Sequence, residues 1–231
     1  MKKNESENCH KGHRENVRRR FLTGGLEVFA PHEILELLLF YSIPQKDTNP
    51  IAHRLIDKYG NLFNVLSAPI EDLQTVEGVG EQTAILLSLV FQLTRWIRLD
   101  TMRGAGVNFL SAKEAGQYCR EMFSGQQSEG VCELCLNRRG DLIGQYSMTN
   151  GNIVSVSMDI RTLISNAVLS HADAVLLAHN HPHGDANPSE EDCAATRYIR
   201  EALAKVNIPL LDHIIVGEHD VVSMREAGFL D

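Results

Sequence analysis

The chain has 231 residues, 43% of them hydrophobic, and a formal net charge of −8. This is enough for one large or two small domains with real cores. The composition is that of a soluble globular protein and excludes a membrane-spanning one, since no apolar run is long enough to cross a bilayer.

The start, MKKNESENCHKGHRENVRRR, is polar throughout. It offers no export segment, so a cytoplasmic protein is expected. Five cysteines at irregular spacing (Cys9, Cys119, Cys132, Cys135, Cys193) then read as reduced thiols. Charge is divided along the chain. Residues 1–106 balance 13 basic against 13 acidic side chains, and residues 107–231 carry the whole net charge of −8.

Residues 1–20 read as a basic tail, with Lys2, Lys3, Lys11, Arg14 and Arg18 to Arg20. Such a cluster either binds nucleic acid through its phosphates or is a solvated face. Residues 21–103 read as a small all-helical domain. Pro31 opens a helix over ILELLLFYSI that Pro44 ends, and Asn49-Pro50 opens another that ends before Gly60. Leu73 to Gly80 then leads into the apolar helix QTAILLSLVFQLTRWI, and this pair resembles a helix-hairpin-helix. Glycines in such a hairpin let backbone N–H groups approach a DNA phosphate. Here Glu71, Asp72, Glu77 and Glu81 border the hairpin, and no Lys or Arg lies between 59 and 94. Weak DNA binding and partner docking both stay open. Gly104 to Gly106 reads as the linker.

From Ser111 the pattern changes to alternating strands and helices, the mark of an α/β (α+β) layered domain over 107–231. Ser111 and Glu114 form a capping box before a helix to about Phe123. Val131 to Asn137 and Leu142 to Met148 read as a hairpin, with a further turn at Asn150-Gly151. Cys132 and Cys135, three apart in a strand, face opposite ways and make a poor metal pair. Asp159 reads as the cap of a helix over Arg161 to Ser170. Ala174 to His179 is a short apolar run that suits a strand buried on both faces. A long helix follows over Ser189 to Lys205, then strands over Ile208 to Val216 and Val221 to Ser223.

The stretch AVLLAHNHPHGDANPSEED carries the chemistry. His179 and His181 are two apart, so in extended chain both rings project from one face. Asp192 falls in the first turn of the following helix, where it also completes a capping box with Ser189. Two His nitrogens and one carboxylate, with a fourth position open, are the ligand set of a catalytic zinc.

HNHPHGDANPSEED resembles the zinc motif of the JAMM (MPN+) metallohydrolases. Together with LLDHIIVG at Leu210 to Gly217, and HRENVRRRFL through FYSIPQKDTNPIAHRLI, it is similar to the RadC family of bacteria. The resemblance runs from about His13 onward. One departure is His183, where the family more often has serine. The resemblance implies a JAMM-like domain holding Zn2+ through His179, His181 and Asp192. It implies a general base at the head of the first strand, where Glu129 aligns, with Glu133 as the alternative on the same strand face. It implies that the Ser189 hydroxyl stabilises the oxyanion of a cleaved amide, in competition with its capping role. His183 is then an extra proton carrier or an exposed loop residue. Asp212-His213 is a further candidate pair, expected to hydrogen-bond inside the fold. The expected activity is zinc-dependent cleavage of a peptide or isopeptide bond. The alternative is a DNA-repair-associated nucleic-acid-binding protein or a metal-dependent nuclease. The acidic second half favours amide substrates over DNA.

Overall fold

The computed structural model describes residues 2–148 and 160–230, with side chains described from Gly12 onward. The expected turn at Asn150-Gly151 and the expected cap Asp159 lie outside the described residues. The chain divides into two compact units, Met1–Thr94 and Arg95–Asp231. The division falls within a long helix, ahead of the Gly104 to Gly106 segment expected to be the linker.

The first unit contains α1 (Lys2–Gly24), α2 (Pro31–Ser42), α3 (Asn49–Tyr59), α4 (Leu62–Ser67), α5 (Ile70–Leu73) and the start of α6 (Glu81–Gly104). Pro31 sits in the first turn of α2, and Glu33 accepts the Ala30 N–H at 2.9 Å. Leu35 and Leu39 of α2 pack with Ile51, Ala52 and Leu55 of α3, and with Val65, Leu73, Val76, Val79, Ala84 and Leu87. The basic tail is helical and partly consumed by this packing. Arg14 lies over the Phe40 ring at 4.6 Å and donates to the Ile43 carbonyl at the end of α2. Arg20 lies over Phe29 and pairs with Glu33 at 2.7 Å.

The second unit adds α7 (Ala112–Phe123), β1 (Val131–Leu136), β2 (Leu142–Met148), α8 (Ile160–Leu169), β3 (Ala174–Asn180), α9 (Glu190–Ala204), β4 (Leu210–Val216) and β5 (Val221–Ser223). Its strands form one mixed sheet in the order β2-β1-β3-β4-β5. Among the described residues, β3 and β4 pair parallel, with α9 as their crossover, and the other neighbouring strands pair antiparallel. Residues alternate between the two faces. On one face Cys132, Leu134, Leu136, Leu176, Ala178 and Ile214 pack with Tyr118, Cys119 and Met122 of α7. On the other, Val131, Cys135, Val175, Leu177 and Leu210 pack with Leu163 and Ala167 of α8 and Ile199 and Leu203 of α9. This is the expected helical part followed by an α+β layered domain. Cys132 and Cys135 lie on opposite faces, so their thiols do not converge on one point. At α7, Ser111 accepts the Glu114 N–H as expected, but the Glu114 carboxylate accepts the Asn108 N–H instead of closing the box.

Candidate metal centre

β3 is buried on both sides because it lies between β1 and β4 and under helices on each face. Its apolar residues give way at its C-terminal end to His179, which is 3% exposed. Beyond it, His181 donates its N–H to the Val216 carbonyl at 2.8 Å, so the chain stays extended and the two rings share a face. The intervening Asn180 faces the other way. Its side chain accepts from the Gly130 N–H at 2.8 Å and donates to the Ser128 carbonyl at 3.2 Å.

Asp192 reaches the same point from α9. Ser189 is the N-cap, and the box with Asp192 is reciprocal: the Asp192 N–H donates to Ser189 Oγ at 3.0 Å, and the Ser189 N–H donates to Asp192 Oδ2 at 2.8 Å. The Ser189 hydroxyl also donates to Oδ2, at 2.7 Å. Burial raises the Asp192 pKa, but its contact with His179 and the bonds from Ser189 outweigh this and hold the carboxyl well below the usual range.

The three side chains converge. His179 Nε2 and His181 Nε2 are 2.9 Å apart, with Asp192 Oδ1 3.4 Å from the first and Oδ2 3.6 Å from the second. They form the only group of three or more potential metal ligands among the described residues. Lone pairs this close need a cation or a shared proton among them. Ligands about 2 Å from a tetrahedral ion lie roughly 3.3 Å from one another, so this donor set fits a zinc-sized ion with small adjustments.

The remaining expected site residues are distributed as follows. Glu129 is exposed, between Ser128 and Gly130, the two residues that Asn180 clamps. The antiparallel register pairs Val131 with His179. The Asn180 N–H donates to the Gly130 carbonyl at 3.3 Å, so the segment that bears Glu129 runs alongside the end of β3 that carries the two histidines. Glu133 is on the sheet face that His179 shares but is fully buried, bonded to Asn166 at 3.0 Å and to the Cys135 thiol at 3.6 Å. Burial pushes its carboxyl up to about 7, against the opposing pull of those two bonds. His183 is exposed on the loop. Asp212 is buried and accepts from the backbone N–H groups of His213 and Arg225 and from the Ser223 hydroxyl. It ties β4 to the turn after β5.

His213 does bond inside the fold, but its partner is a candidate ligand: its Nε2 lies 2.8 Å from His179 Nδ1. Its Nδ1 lies 2.7 Å from the Thr196 hydroxyl. Full burial, and then the neighbouring His179, hold its pKa well below the ordinary histidine value. Sequence reasoning missed Thr196. A threonine in the second turn of α9 gives no local signal, and its role depends on which β4 residue lies beneath it.

A family model described as "RadC-like JAB domain" matches residues 109–229. A UPF0758 protein of Ruegeria pomeroyi is 35% identical over 219 residues, covering 94% of this chain and 97% of its own. One of Rhodobacter capsulatus is 36% identical over 215 residues, 93% of this chain and 100% of its own. One of Fusobacterium nucleatum is 30% identical over 231 residues, 97% of this chain and 100% of its own. With a JAB-type layered domain behind a helical unit, and the His-His-Asp cluster at the end of its central strand, the chain belongs to the RadC family.

Proposed function

We propose that the chain is a zinc-dependent hydrolase of the JAMM type that cuts a peptide or isopeptide bond. The observation that carries this reading is the convergence of His179, His181 and Asp192 beside the segment that bears Glu129. A zinc ion held by these three side chains supplies Lewis acidity, which lowers the pKa of water and polarises a carbonyl.

The chain's own residues do the rest. Glu129 accepts the proton of the attacking water and passes it to the leaving nitrogen. Its exposure, two residues before the Val131 that pairs with His179, leaves the carboxylate accessible for that work. Glu133 is a poorer base, because its two oxygens are already engaged in the layer between sheet and helix. The Ser189 hydroxyl donates to the carbonyl oxygen as charge builds there, after giving up its bond to Asp192 Oδ2. His183 sits on the loop beside the site, open to a substrate.

The test is cleavage of a panel of peptides, isopeptide-linked conjugates and DNA by the zinc-supplemented protein, run with Glu129→Gln and Glu133→Gln. The reading expects amide cleavage that falls roughly 10²–10⁴-fold in Glu129→Gln and persists in Glu133→Gln. Cleavage of DNA alone, or unchanged turnover in Glu129→Gln, contradicts it.

A further inference from the structure

Thr196 and His213 are completely buried, and no substrate reaches either of them. They nevertheless form a chain of short hydrogen bonds that ends on a candidate ligand. The Thr196 hydroxyl lies 2.6 Å from the Asp192 main-chain carbonyl oxygen, 2.7 Å from His213 Nδ1, and His213 Nε2 lies 2.8 Å from His179 Nδ1.

Each link constrains the next. A carbonyl oxygen only accepts, so at 2.6 Å the single Thr196 proton points to Asp192. The hydroxyl oxygen must then accept from His213, which places a proton on His213 Nδ1. A fully buried ring bonded only to a hydroxyl and a second imidazole is kept uncharged by the cost of burying a charge, and an uncharged imidazole has one N–H, so His213 Nε2 carries the lone pair and accepts from His179 Nδ1. That leaves the His179 lone pair on Nε2, facing Asp192 and His181. His181 reaches the same state separately, because its Nδ1 lies 2.8 Å from the Asp185 carbonyl and must donate. The opposite polarity would leave two oxygens 2.6 Å apart with no proton between them.

We propose that Thr196 and His213 are positioning residues that lock His179 in the Nδ1–H tautomer and so keep its Nε2 available to a divalent cation. The proposal rests on the reading of His179, His181 and Asp192 as metal ligands. It assigns to a buried helix residue and a buried strand residue a share in metal affinity. The Asp192 carbonyl at the far end belongs to another ligand, so the relay also ties the positions of two ligands together.

Two measurements test it on the full chain. In the first, two-bond 15N–1H spectra of the metal-free wild-type protein report the tautomer of each histidine. The proposal expects His213 with its proton on Nδ1 alone. A proton on Nε2 overturns it, whatever any variant does. In the second, Zn2+ is titrated against a chromophoric chelator into wild type, Thr196→Val, Thr196→Ser and a His179→Ala/His181→Ala control. Valine keeps the shape of threonine and removes its hydroxyl. The expected result is a 10–100-fold loss of zinc affinity in Thr196→Val with an unchanged circular dichroism spectrum, and recovery of most of it in Thr196→Ser. Wild-type affinity in a folded Thr196→Val overturns the relay while leaving the ligands intact. Equal affinity in wild type and the double-alanine control instead removes the metal site itself.

Discussion

At the scale of single residues, two carboxylates four positions apart have opposite fates. Glu129 lies beyond the end of β1 in the open, and Glu133 is enclosed between β1 and α8 with only neutral donors. A buried carboxyl with a folded pKa near 7, against an ordinary value of 4.5, prefers to be protonated in the native state. Its effect on stability is therefore most favourable below about pH 4.5, declines as pH rises, and levels off above about 7. The full span is at most about 3 kcal/mol. Glu133→Gln removes this dependence. The variant should gain stability relative to wild type as pH rises from 5 to 8, measured by urea unfolding at each pH. A constant difference over that range would show that Glu133 does not titrate there. Ser189 serves Asp192 through both its N–H and its hydroxyl. Ser189→Ala should cost about 1 kcal/mol of stability as a lost N-cap. If the hydroxyl also serves the oxyanion, turnover at saturating zinc should fall as well, by roughly 10²-fold or more. Turnover restored in full by excess zinc would limit Ser189 to holding the ligand.

At the scale of elements, the hairpin between α5 and α6 separates packing from binding. Gly78 has a φ of 93°, and a Cβ there would meet Ile51 Cδ1 at 2.8 Å. Gly80 has open space around it. Gly78→Ala should therefore destabilise the protein by more than about 1 kcal/mol, and Gly80→Ala should leave stability unchanged or slightly raised. Thermal unfolding of the two variants checks this, and equal effects would contradict it. Arg54 and Lys58, absent from the hairpin in sequence, come to it from α3. There Arg54 donates to the Glu77 carbonyl, and Lys58 donates to Asp72 and Thr75. Both cations are engaged within the fold, which weakens a phosphate-binding reading.

Elements that announce themselves locally were legible in the sequence. The apolar run before His179 marked β3, Ser189 marked the start of α9, and the spacing of His179, His181 and Asp192 pointed to one cluster, which the fold does bring together. Contacts created by strand order were not. Glu133 reads as a strand glutamate until β1 is known to pair with both β2 and β3 under α8. Leu177 pairs with His213 only because β3 and β4 run parallel through the α9 crossover. The same topology brings His213 beside His179, and neither strand alone signals it. The basic tail looked free for the same reason, since its stacking on Phe40 and Phe29 depends on the α1–α2 packing.

At the scale of the whole molecule, the charge of −8 lies in residues 107–231, the half that carries the candidate metal centre. Among the described residues no helix is long and apolar enough to cross a membrane. Phosphate backbones are repelled by such a surface, and in the N-terminal half Arg14 and Arg20 are engaged with α2. DNA affinity should therefore be weak and should vanish by about 200 mM salt. Fluorescence anisotropy with a labelled duplex tests this, and tight binding that survives that salt would restore the nucleic-acid reading. The central claim, that this is a metal hydrolase site, is tested most directly by metal content. Protein purified without chelator and analysed by plasma mass spectrometry should carry about one zinc per chain. His179→Ala/His181→Ala should carry none, with its fold retained by circular dichroism. A wild-type protein that takes up no divalent metal, or a double variant that keeps it, would contradict the account.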